Sequence, residues 1–160
     1  MFDLRTRRAT GYATILLLTF VSAAVAQDPH GYELGVQGVA TISDASFVGG
    51  GLVGGMRTGG RTRIVFSVLS GRRDGNLAGR GELSFQYLLD PGRTRGWAFY
   101  GFGGIAGVAG PRSSGFLVLG LGVESAPGNR SGWILEGGVG GGARLSLGWR
   151  HRWLARPRTR

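Results

Sequence analysis

No cysteine occurs in the 160 residues, which excludes disulfides, thiolate metal sites and a lipidated N-terminal Cys. Lysine is missing as well: all 19 basic residues are Arg. Histidine is limited to His30 and His151, so no cluster of ring nitrogens exists to hold a transition metal. The scattered Asp and Glu lack the spacing of a calcium loop, and neither a metal nor a cofactor is expected. Beyond residue 26 apolar residues do not recur at steps of three and four, so no helix is expected there. No Gly-X-Y period runs through the 33 glycines, which excludes a collagen-like chain. Leu, Val, Ile, Phe, Tyr and Trp continue throughout, unlike glycine-rich disorder.

What is present begins with a leader. Arg5, Arg7 and Arg8 precede an apolar stretch over 13–26, and Ala24-Val25-Ala26 places small residues before Gln27. That is the layout of a cleaved secretory signal peptide, 1–26. The stretch is shorter than the roughly 20 residues of a spanning helix. Cleavage leaves 134 residues with sixteen Arg and eight acidic groups, a balance of +8. An exported chain rarely meets nucleic acid and no binding motif accompanies the charge, so no nucleic-acid partner is expected. Solvated turns and attraction to anionic lipid account for it better.

The mature chain then repeats one pattern, a strand-like stretch closed by a cluster of turn residues. The stretches are 32–42, 47–57, 62–70, 78–89, 97–108, 115–124, 133–140 and 144–154, and every connection has hairpin length. A membrane-spanning strand needs about 9–11 residues, whereas soluble strands usually have about 5–6. Eight stretches of the longer kind nearly exhaust the chain and leave nothing to cover a sheet.

Successive side chains of a strand point to opposite faces. Over 80–89, Arg80, Glu82, Ser84 and Gln86 oppose Leu83, Phe85, Tyr87 and Leu89. Tyr32, Leu34, Val36 and Ile42 oppose Glu33, Gln37, Thr41 and Ser43, and Leu145, Leu147, Trp149 and Trp153 oppose Arg144, Ser146, Arg150 and Arg152. Trp133, Leu135 and Val139 oppose Glu136, while Leu117, Leu119, Leu121 and Val123 oppose Glu124, with Phe116 and Val118 blurring that side. The second, third and fifth stretches are ambiguous. In a membrane barrel the apolar face meets lipid and the polar face fills the lumen. Glu33, Glu82, Glu124 and Glu136 would then be neutralised inside by Arg80, Arg144, Arg150 and Arg152. Trp97, Trp133, Trp149 and Trp153 would sit near strand ends as interface aromatics. Crowding inside so small a cylinder gives inward glycine a use.

Near the C-terminus, Ser146-Leu147-Gly148-Trp149-Arg150-His151-Arg152-Trp153 resembles the terminal signal of bacterial outer-membrane barrels: polar, any, Gly, any, any, aromatic, any, aromatic. Ser146, Gly148, His151 and Trp153 fill its four defined positions; His151 stands where Phe or Tyr is usual, and six residues follow Leu154. The mature chain resembles the small eight-stranded outer-membrane barrels of the OmpA/OmpX type. The resemblance implies a barrel domain over 27–154 and a basic tail over 155–160. It also implies location in the outer membrane, and partners in outer-membrane lipid, lipopolysaccharide and the barrel-assembly machinery. Both termini would lie in the periplasm, with four short outward loops near 43–46, 70–76, 109–115 and 140–143. The expected fold is therefore all-β, an eight-stranded antiparallel up-and-down transmembrane β-barrel after a cleaved signal peptide.

For chemistry the sequence offers little. Gly49 to Gly54 matches G-x-G-x-x-G formally, but no helix follows to bind a dinucleotide. Ser146 shares a strand with His151 but the odd spacing puts them on opposite faces, and nothing specific joins Ser113 to His151 across the barrel. The expectation is a non-enzymatic structural or envelope-integrity role without an open pore. The alternatives are a soluble periplasmic or secreted barrel that carries a small apolar ligand and, less favoured, a lipid-modifying outer-membrane enzyme.

Overall fold

The computed structural model describes residues 31–154. The signal peptide expected over 1–26 and the tail over 155–160 lie outside these residues. Eight strands follow one another: β1 (Gly31–Ile42), β2 (Phe47–Arg57), β3 (Thr62–Arg73), β4 (Asn76–Leu88), β5 (Trp97–Ala109), β6 (Ser114–Ser125), β7 (Ser131–Val139) and β8 (Ala143–Leu154). Each pairs antiparallel with its neighbour in sequence, and β8 returns to β1, so the sheet is a closed cylinder. The closing ladder runs from Gly31 opposite Leu154 to Ile42 opposite Ala143. Closure removes both sheet edges and satisfies the backbone from within. The β6–β7 pairing is the shortest, from Leu119 opposite Val139 to Glu124 opposite Ile134.

Every strand but β2 is at least one residue longer than the turn residues suggest, β3 most of all. Over 70–76 the sequence reads as a loop, yet β3 and β4 run through it and leave only Asp74-Gly75 between them. Asp74 has φ 50° and Gly75 φ 80°, the signs a two-residue hairpin turn requires to match strand twist. β6 gains Ser114 and Ser125, one residue at each end. Ser43, assigned to the lumen face from its spacing, is instead exposed in the β1–β2 turn, its hydroxyl accepting from the Ala45 N–H.

The cylinder has a near end, where β1 starts and β8 ends, and a far end with turns at 43–46, 74–75, 110–113 and 140–142. The longest connection, 89–96, lies at the near end. In every strand the outward residues are apolar or glycine in its central part. Leu34, Val36, Leu52, Phe66, Phe85, Phe99, Leu119, Leu121, Leu135 and Leu147 are all exposed. Leu121 is 72% exposed, whereas Arg63 and Arg152 are 0% exposed, the reverse of a soluble domain's arrangement.

Inward glycines make room for inward rings. A Cβ on Gly122 would lie 2.3 Å from Cζ of Tyr100, and one on Gly120 would lie 2.7 Å from the Phe102 ring. The fifth stretch, apolar on both sides in sequence, resolves accordingly: Tyr100 and Phe102 are buried inside, Phe99 and Ile105 face out.

Candidate functional site

The lumen is the one place where chemistry-bearing side chains gather among the described residues, and all eight strands supply it. Glu33, Arg80, Glu82, Glu124, Glu136, Arg144, Arg150 and Arg152 all point inward and are buried. Arg57 and Arg63 join them, so six Arg meet four Glu and the lumen carries an excess of two positive charges. All four Glu of the chain lie here, while Asp44, Asp74 and Asp90 occupy turns.

Arg63 is the hub of the near half. Its Nη1 donates to Glu33 Oε2 at 2.9 Å and to Glu124 Oε2 at 3.0 Å, crossing the cylinder from β3 to β6. Arg57 Nε donates to Glu33 Oε1 at 3.1 Å, and Arg152 Nη2 donates to Glu124 Oε2 at 3.1 Å. Gln86 links the two halves: it accepts from Arg63 Nε at 2.9 Å and donates through Nε2 to Glu136 Oε1 at 3.2 Å. Glu136 also accepts from the Tyr100 hydroxyl at 2.8 Å, Ser146 Oγ at 2.9 Å and Gln37 Nε2 at 3.3 Å. Arg144 then lies 3.0 Å from Glu136 and donates to Glu82 Oε2 at 2.9 Å, and Arg80 Nε donates to Glu82 Oε1 at 2.6 Å. The chain of contacts is unbroken from Arg57 to Arg80. Only Arg150 is looser, 3.6 Å from Glu33 and 4.0 Å from Glu136.

Both ends of this network are covered. Towards the far end Val39, Phe47, Leu69, Ala78 and Val108 pack together with Phe116 against them. At the near end the turns 89–96 and 126–130 fold over the opening, and Arg57 Nη2 donates to Pro127 O at 2.9 Å from below. Between the covers, the space beside Gln37, Ser67, Gln86, Glu136, Arg144 and Arg150 is about 10 Å³, room for roughly one water.

Arg57 and Arg63 escaped the sequence reading because β2 and β3 mix residue types on the inward face. Val53, Val65 and Leu69 share that face with Arg57, Arg63 and Ser67. The usable signal was on the other side: Ile64, Phe66 and Val68 form a wholly apolar outward row. Tyr100 was likewise hidden by the apolar character of both β5 faces.

The remaining site residues divide by face. Ser146 and Gly148 of the terminal octapeptide point inward; His151 and Trp153 point outward, their rings 4.7 Å apart and edge-on. Trp97, Trp133 and Trp153 are exposed close to the near end. Trp149 departs from the expected place at a strand end: it lies mid-strand opposite Trp133, and at 37% is the least exposed of the four. Ser113 sits in a far-end turn, donating to Gly110 O, whereas His151 is near the opposite end on the outer face. The cylinder keeps the two apart.

The fold has a counterpart among solved structures. The N-terminal β-barrel domain of Pseudomonas aeruginosa OprF matches over 79% of this chain and 100% of its own, with a TM-score of 0.54 and 16% identity. At that identity the likeness is one of fold, a closed eight-stranded antiparallel barrel. No protein-family profile and no curated protein matches the sequence.

Proposed function

We propose that the protein is an integral outer-membrane β-barrel with a structural, envelope-integrity role and no enzymatic activity. The observation that carries this is the inverted distribution of polarity: a continuous apolar outer wall around a lumen holding every glutamate and six arginines. In water such a wall would be an aggregation surface; in a bilayer it is the expected lipid face of a barrel. The likeness to the OprF domain supports the same setting.

The sealed, cross-linked lumen supports a barrier or scaffold rather than a pore, since an eight-stranded interior is filled by side chains. Short far-end turns offer little for adhesion. Outer-membrane lipid and lipopolysaccharide are the proposed surroundings. Ser146, Gly148, His151 and Trp153 on the closing strand are the proposed signal for the barrel-assembly machinery. An apolar-ligand carrier is disfavoured because the middle of the lumen is ionic and the space beside Glu136 is about 10 Å³.

The test is the behaviour of the mature chain in detergent and in envelope fractions. A closed membrane barrel is expected to migrate differently on gels before and after boiling and to partition with detergent. A monomer soluble in plain buffer without heat-dependent migration would refute the reading. Lipid A mass spectra with and without the gene test the absence of lipid-modifying activity: an altered pattern would overturn it.

A further inference from the structure

Exposed charge is divided unevenly between the two ends of the cylinder. At the far end Arg72 and Arg112 are exposed together with Asp44 and Asp74. Arg73 there is committed within the protein, its Nη1 donating to Arg112 O at 2.7 Å and Ser114 Oγ at 2.6 Å. At the near end, among the described residues, Arg61, Arg93, Arg95 and Arg130 are exposed against Asp90 alone.

These near-end arginines stand on a braced platform. Gly128 N donates to Arg93 O at 2.8 Å and Ala126 N to Gly96 O at 2.8 Å, joining turn 126–130 to turn 89–96. Asn129 Nδ2 donates to Thr94 O at 3.0 Å across the same seam. Arg57 ties both turns to the lumen through Pro91 O and Pro127 O. The backbone groups of the seam are thus used among themselves. Of the four exposed guanidiniums, Arg93 spends one donor, Nη1, on Trp97 O at 2.9 Å.

A second feature sets the depth of the platform. Tyr32, Tyr87, Trp97, Trp133 and Trp153 are exposed on the outer wall, each within three residues of a near-end strand terminus. The matching far-end positions include Ile42, Val48, Leu77 and Val139, with no outward Trp or Tyr. Amphipathic rings settle at headgroup level, so the arginine turns immediately beyond this girdle lie among the headgroups of one leaflet.

We propose that the near end is a binding surface for anionic phospholipid headgroups, with Arg61, Arg93, Arg95 and Arg130 pairing with their phosphates. Guanidinium suits this task because its planar fork meets phosphate through two donors. An acidic cell-wall polymer is the less favoured partner, because the described arginine turns follow directly on the aromatic girdle. The inference rests on the membrane-barrel reading, and it also assigns orientation: the end where β1 starts and β8 finishes faces the anionic phospholipid leaflet.

The experiment uses the mature chain refolded into nanodiscs of mixed phosphatidylcholine and phosphatidylglycerol, with retained lipids read by native mass spectrometry. Heat-dependent gel migration first reports insertion; failure at that step refutes the membrane reading itself. With insertion established, wild type is expected to retain phosphatidylglycerol with at least about fivefold preference, the order of one basic group beside an anionic surface. That preference is expected to vanish in R61S/R93S/R95S/R130S and to persist in R72S/R112S. The milder R93S/R95S variant and a salt titration of wild type serve if the fourfold variant does not fold: both are expected to weaken the preference. Equal retention of the two lipids, or a preference untouched by salt and by the near-end substitutions, would overturn the proposal. Cosedimentation of the detergent-solubilised chain with isolated peptidoglycan, without any lipid preference, would also overturn it.

Discussion

Glu33→Gln removes one charge from the lumen while keeping the shape of the side chain. Glu33 is buried and accepts from Arg57 Nε at 3.1 Å and from Arg63 Nη1 at 2.9 Å and 3.0 Å, with Arg152 3.9 Å away. Six Arg against four Glu becomes six against three, so an excess of two buried positive charges becomes three. One unit pair at about 4 Å is worth about 4 kcal/mol at an effective dielectric constant near 20. Glu33 serves several arginines at once, and the desolvation cost of its own charge is returned when it is neutralised. The net expectation is that of breaking a buried pair, about 3–5 kcal/mol. With a urea slope of about 1–3 kcal/mol per molar, the unfolding midpoint should fall by about 1 M or more. Tryptophan fluorescence and heat-dependent migration in lipid vesicles both report the transition. Arg61→Gln, on the exposed rim, should stay within about 0.5 kcal/mol of wild type. In Glu33→Gln/Arg57→Gln the excess returns to two, and a coupling of about 0.5–3 kcal/mol should reappear as partial rescue. A midpoint for Glu33→Gln no different from that of Arg61→Gln would refute the buried, paired lumen.

Three further outcomes follow from the same geometry. Leu121→Arg, on the outer wall midway along β6, should destabilise the protein in bilayers by about 2–4 kcal/mol; a change within about 0.5 kcal/mol by lipid-vesicle urea titration would mean that this wall faces water. Gly122→Ala should cost about 1–3 kcal/mol by overpacking, because the new Cβ would sit 2.3 Å from the Tyr100 ring that holds Glu136, whereas Gly137→Ala meets nothing within 4 Å and should be neutral in the same titration. In planar bilayers the mature protein should show no stable open channel, and a persistent conductance would refute the sealed lumen.

Much of this architecture is written locally along the chain. The period of two, the length of each stretch and the turn residues between them define eight antiparallel strands without reference to any partner. The same alternation separates Glu33, Glu82, Glu136, Arg144, Arg150 and Arg152 from their apolar neighbours, because in β1, β4, β7 and β8 one face is almost purely apolar. Periodicity alone cannot say which face is inside; here the closed cylinder decides, turning the greasy face out. Nor can it rank the arginines: Arg57 and Arg63 became lumen residues only through the register that sets Arg57 opposite Arg63 and turns both toward Glu33. Partner choice across the barrel, from Arg63 to Glu124 or Arg144 to Glu82, joins residues 61 and 62 apart. The seam between turns 89–96 and 126–130, with the arginine rim it carries, belongs to the same class. Such contacts depend on strand tilt and closure, which are properties of the whole sheet and leave no signature in any single stretch.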